Sequence, residues 1–154
     1  MRKFSIKIDE ASLLRNKRGL VTGRIYIVAG DIVFPHQEWD DFIVVILGWW
    51  IEAIQTLHNG ETESAYLRFM DGPYHIQITA NDKKAINMEF IDTHDDKGLV
   101  GTSPISIEEL YGAVQEAASE IAAIAKRNKW EDSDMAQLQK LVATPINLDV
   151  PGDK

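Results

Sequence analysis

The densest set of side chains able to do chemistry in this 154-residue chain is Asp92-Thr93-His94-Asp95-Asp96, three carboxylates and an imidazole within five positions. Oxygen-rich segments hold hard cations, and a histidine beside a carboxylate can act as a general base, so Asp92, His94 and Asp95 form the candidate metal or acid/base group. Their spacing matches no established cation loop, however, and Lys97-Gly98 closes the segment as a surface turn does, which favours a solvated loop tip. His36, His58 and His75 fall in other segments and no His-x-x-x-His pair occurs, so a zinc site would have to be assembled from distant positions. Cysteine is absent, which removes disulfides, thiolate metal sites and thiol nucleophiles. The chain also lacks Gly-x-Ser-x-Gly, Gly-x-x-x-x-Gly-Lys and Gly-x-Gly-x-x-Gly, the signatures of the easily read hydrolase, nucleotide and dinucleotide classes. The expectation is a chain without catalysis or cofactor; a small enzyme or ligand-binding domain using His75, Asp92 or His94 at a sheet edge is the alternative.

Two surfaces could instead bind a macromolecule. Glu109, Glu116 and Glu120 recur at helical spacing and line one outward face, offering a row of carboxylates to a basic partner. His75, Gln77, Thr79, Asn87 and Glu89 alternate with apolar residues and so point away from a core, making a polar sheet face with Asp71, Pro73 and Tyr74 at its rim. Tyr74 there either anchors a partner or packs the hairpin. The net charge of -8 is uneven: residues 1 to 24 carry seven Lys or Arg against Asp9 and Glu10, a balance of +5 that leaves -13 for the remainder. Such an acidic bulk repels nucleic acid and anionic membrane, and either draws in a basic protein or simply maintains solubility. A third reading is a homo-oligomer whose polar sheet face is the interface.

The elements that must position these residues follow from periodicity. Residues 3 to 8 and 20 to 28 alternate as strands around a basic loop, Arg15-Asn16-Lys17-Arg18-Gly19. From about Asp40 an apolar helix runs to His58-Asn59-Gly60, with Asp41, Gly48, Glu52, Gln55, Thr56 and Asn59 on one polar stripe. A stripe this narrow implies a helix enclosed by protein, the packing centre of the domain. Strands at 65–69, 74–78 and 86–90 come next. A two-residue turn at Asp71-Gly72 would pair Phe69 with Tyr74, Leu67 with Ile76 and Ala65 with Ile78, and an odd loop length after Ile78 keeps Ile86 on the same face. Ser106 and Glu109 form a capping box that opens a second long helix, ending among Lys126, Arg127 and Lys129. A short helix over 134–142 precedes an irregular tail, 143–154.

The predicted architecture is therefore α+β, a largely antiparallel sheet of about five strands with two long helices and one short helix packed mainly on one face, in a single domain spanning 1–154. The longest apolar run, Phe42 to Ile51, is about half of a membrane span. The Met-Arg-Lys start leads into strand alternation rather than a continuous apolar run and reads as unprocessed, which with the missing cysteines points to the cytoplasm.

The order of elements, with FPHQEWDDFIVVILGWWIEAI (34–54) and YLRFMDGPYHIQI (66–78), resembles small bacterial immunity-type proteins encoded beside polymorphic toxins, over roughly residues 34 to 91. That resemblance implies a cytoplasmic inhibitor that binds a toxin domain and blocks its active site or its access to substrate. It also implies a mostly structural role for Phe34-Pro35, Trp39-Asp40-Asp41 and Trp49-Trp50. Glu109, Glu116 and Glu120, with Asp71 and Tyr74, are the expected contact residues.

Overall fold

The computed structural model describes residues 4–70, 72–81, 85–94 and 98–148. The N-terminal half contains β1 (Phe4–Ile8), a 3-10 turn at Glu10–Ser12, β2 (Leu14–Arg15), β3 (Val21–Ala29), β4 (Ile32–Phe34), β5 (Asp40–Asp41) and α1 (Ile43–His58). The remainder contains β6 (Ser64–Arg68), β7 (Tyr74–Ala80), β8 (Ala85–Asp92), β9 (Gly98–Ser106), α2 (Ile107–Asn128) and α3 (Ser133–Ala143). The α+β class with antiparallel pairing is as expected, but the strands divide between two sheets.

The first sheet is built about β3, whose alternate residues Val21, Gly23, Ile25, Ile27 and Ala29 are buried. β1 and β4 pair with its second half, and the two-residue strands β2 and β5 pair with its first half. The second sheet has the order β6-β7-β8-β9. Its first hairpin has the anticipated register, Leu67 opposite Ile76 and Ala65 opposite Ile78, and the ladder ends at Arg68 and His75, one step short of Phe69 and Tyr74. Between Asn81 and Ala85 lie three residues, the odd number that keeps Ile76, Ile78, Met88 and Phe90 on one buried face. β9 is a strand that periodicity alone does not mark, because Gly98, Gly101 and Pro104 interrupt it. Its register slips between Phe90 and Ile91, where Gly101 and Leu99 are the respective partners and Val100 is the extra residue of a bulge.

α1 lies at the centre, touching β3, β6, α2 and α3, and buries Ile43, Val44, Ile46, Leu47, Trp50, Ile51, Ile54 and Leu57. Glu52 and Gln55 are exposed as expected, and so is Trp49, which shares their solvent side. The placement of Asp41 on the helix's polar stripe is corrected: α1 begins two residues later, and Asp41 is buried in β5. Gly60, with φ of 73°, ends α1 as its Asn-Gly sequence requires, its N–H donating to the Leu57 carbonyl. At the start of α2 the Ser106 hydroxyl accepts the Glu109 N–H at 3.0 Å. α2 packs on β1 and β9 as well as on α1 and α3, so the helices join the two sheets through one continuous hydrophobic cluster. From Thr144 to Leu148 the backbone is irregular, yet this segment is anchored: the Ile146 N–H donates to the Tyr111 hydroxyl at 2.8 Å, and Ile146 and Leu148 pack against the core. No helix among the described residues is long and apolar enough to cross a membrane.

Candidate functional site

The carboxylate row is intact. Glu109, Glu116 and Glu120 are all exposed on α2, and steps of seven and four residues place them within about 40° of one another around the helix and along about 16 Å of its axis. No Lys or Arg occurs between Ile107 and Ala125, so no cation of the helix itself intervenes within this stretch. Glu109 also lines a groove of about 540 Å³ between β9 and the β3–β4 turn, with Phe4, Ile32, Thr102 and Pro104 among its walls.

Tyr74 belongs to a different part of the molecule. Tyr74 pairs with Asp92 and Asp92 with Gly98, whereas Ser106, the cap of α2, lies at the other end of β9. Eight residue steps along that strand put about 26 Å between those ends, so Glu109 and Tyr74 do not form one patch. The Tyr74 ring is half-buried and packs edge-on to Trp39 at 5.2 Å and Phe34 at 5.5 Å. The ring thus packs the start of β7 against Phe34 and Trp39 of the N-terminal half. Asp71, its expected companion, lies outside the described residues.

Asp92, Thr93 and His94 make local contacts at the end of β8. Asp92 is buried and its carboxylate accepts the His94 N–H at 2.8 Å, while the Thr93 N–H and hydroxyl both donate to the Pro73 carbonyl. This ties the end of β8 to the start of β7. Asp95 lies outside the described residues, and among those described no three His, Asp or Glu side chains converge as a metal site. His75 and Asp92 occupy adjacent strands with opposite parity, so the sheet directs them to opposite faces and they do not share a site.

His75 instead takes part in an arrangement on the outer sheet face. Its ring meets Tyr66 edge-on at 5.4 Å, and the Arg68 guanidinium lies 4.8 Å from the centre of the Tyr66 ring. Partial burial, followed by the charge of Arg68, lowers the His75 pKa from the ordinary 6.5, so the imidazole is neutral at pH 7. His75, Gln77, Thr79, Asn87 and Glu89 share this face as expected. Tyr66, Arg68 and Leu99 join them from the outer strands, and the pattern of β9 is too weak for Leu99 to be read there in advance.

Sequence reasoning also missed Asp41. Its carboxylate accepts from Trp39 Nε1 at 2.7 Å, from the Phe42 N–H at 2.7 Å, and from the Met70 N–H at 3.1 and 3.2 Å to its two oxygens. It thereby joins β5, the start of α1 and the end of β6, and its role is architectural. Compared with protein-family models, curated proteins and solved structures, the chain matches none.

Proposed function

We propose that this chain is a non-catalytic, protein-binding inhibitor of the immunity type, acting in the cytoplasm by direct binding of a basic toxin domain. The observation that carries the reading is the row of Glu109, Glu116 and Glu120, fully displayed on a helix held rigidly against both sheets and without an intervening cation. Such a surface raises the encounter rate with a basic partner and repels nucleic acid. The alternative of an enzyme or ligand site at the sheet edge draws no support from Asp92, whose buried carboxylate accepts the His94 N–H, or from His75, which faces the other way.

The test is affinity capture of the tagged chain from its host at low and high salt, followed by kinetics with the captured protein. A stoichiometric partner carrying a toxin domain, whose activity stops at equimolar inhibitor, is the expected result. Reversing all three charges (E109K, E116K and E120K together) should slow association about tenfold and flatten its salt dependence. An unchanged association rate would move the interface away from α2.

A further inference from the structure

The face of the second sheet turned away from the helices differs from the rest of the molecule in its charge. Its rows run Arg68, His75, Ile91, Leu99 and then Tyr66, Gln77, Glu89, Thr102, with Thr79, Asn87 and Pro104 beyond. These side chains include one fixed cation, Arg68, and one anion, Glu89, so the face is neutral on a chain of net charge -8. Among the described residues neither of these two makes an ion pair. Large apolar groups are exposed there too, Tyr66 at 39% and Leu99 at 56%, and the bulge residue Val100 beside Leu99 is 51% exposed. Arg68 lies over the Tyr66 ring, and tyrosine and arginine are both among the residue types enriched at the energetic centres of interfaces.

We propose that this sheet face joins two copies of the chain in a twofold dimer, Arg68 of each copy pairing with Glu89 of the other. A neutral, mixed surface does not attract a strongly basic partner, whereas one cation and one anion are self-complementary under a twofold axis. An axis lying in the interface, perpendicular to the line from Arg68 to Glu89 and midway along it, brings each charge over its opposite and places β7 near the centre. The Tyr66 and His75 rings then lie beside the axis, with Leu99 toward one end of it. Four strands about 4.8 Å apart and seven residues long make a face of about 19 by 23 Å, on the order of 450 Å² per copy. The total of about 900 Å² is below the roughly 1,200 Å² of stable specific interfaces, in the range of weak, transient ones, so the dimer is weak and forms with rising concentration. The face meets the α2 row only at the β9 edge, where Thr102 and Pro104 share a groove with Glu109, and its contacting charges, Arg68 and Glu89, are not among the α2 glutamates, so the proposal does not depend on the inhibitor reading.

Sedimentation equilibrium of the purified full chain tests it, from about 1 µM to 1 mM, a range that brackets dissociation constants typical of weak association. The average mass should climb from the 17.4 kDa of one chain toward twice that value. Because twofold symmetry repeats the Arg68–Glu89 contact, either R68E or E89R alone introduces two like-charge contacts and should weaken the dimer about tenfold or more. The R68E/E89R double variant should restore it, with circular dichroism confirming the fold of each variant. A wild-type chain that stays at 17.4 kDa throughout overturns the proposal. So does a dimer indifferent to both single reversals, or one that the double variant fails to restore. A monomeric wild type whose binding to the captured toxin domain is abolished by R68E would assign the face to that partner instead.

Discussion

At the scale of single residues, a buried charge marks structure and exposed charges mark the surfaces available for recognition. Asp41 is 4% exposed, and the groups donating to it come from three places in the chain. Its position just before α1 also sets a negative charge against the positive end of the helix dipole. Asp41→Ala would strand the Trp39, Phe42 and Met70 N–H groups away from water, and the expected loss of stability is about 3 kcal/mol, read from urea unfolding followed by tryptophan fluorescence. A loss below about 0.5 kcal/mol would show that these bonds do not hold the β6–β7 hairpin to α1. None of this is legible in the sequence, where Asp41 fits the polar spacing of the following helix equally well. The carboxylates of α2 were legible, because helical spacing alone decides which way Glu109, Glu116 and Glu120 point.

At the scale of elements, backbone geometry separates glycines that are required from those that are merely tolerated. Gly72, in the β6–β7 turn, has a φ of 85°, and a Cβ built on it would lie 2.8 Å from Cη2 of Trp39. Gly112, in the second turn of α2, is exposed, and a Cβ there would meet nothing within 4 Å. Alanine should therefore act in opposite directions: Gly72→Ala is expected to cost about 2 kcal/mol through strain and displacement of the indole, and Gly112→Ala to add about 0.5 to 1 kcal/mol by stiffening the helix. Thermal unfolding of the two variants beside the parent checks both signs. The long helices and the β6–β7 register could be read in advance, since amphipathic period and a two-residue turn are local signals. β4, β5 and β9 could not, being short or broken by glycine and proline and stabilised by their neighbours.

At the scale of the whole molecule, α1 and α2 each contact both sheets, and the buried side chains form one cluster. The expectation of a single domain then has a direct consequence: far-ultraviolet circular dichroism and tryptophan fluorescence should report the same unfolding midpoint in urea. Two separated midpoints would show that the sheets unfold independently. Trp39 and Trp50 lie within the aromatic cluster of Phe34, Phe69, Tyr74 and Phe90, between the two sheets, so the fluorescence signal senses their separation. Sequence by itself determined the class of fold, the two long helices, the pairing of the first hairpin and the acidic face of α2, because each depends on periodicity and charge within one segment. Only tertiary structure decided that the strands form two sheets, that Tyr74 lies far from Glu109, that His75 and Asp92 face apart, and that Asp41 is a buried junction. Those outcomes depend on which distant segments become neighbours, and the burial of apolar surface that selects them acts across the whole chain rather than within any window of it.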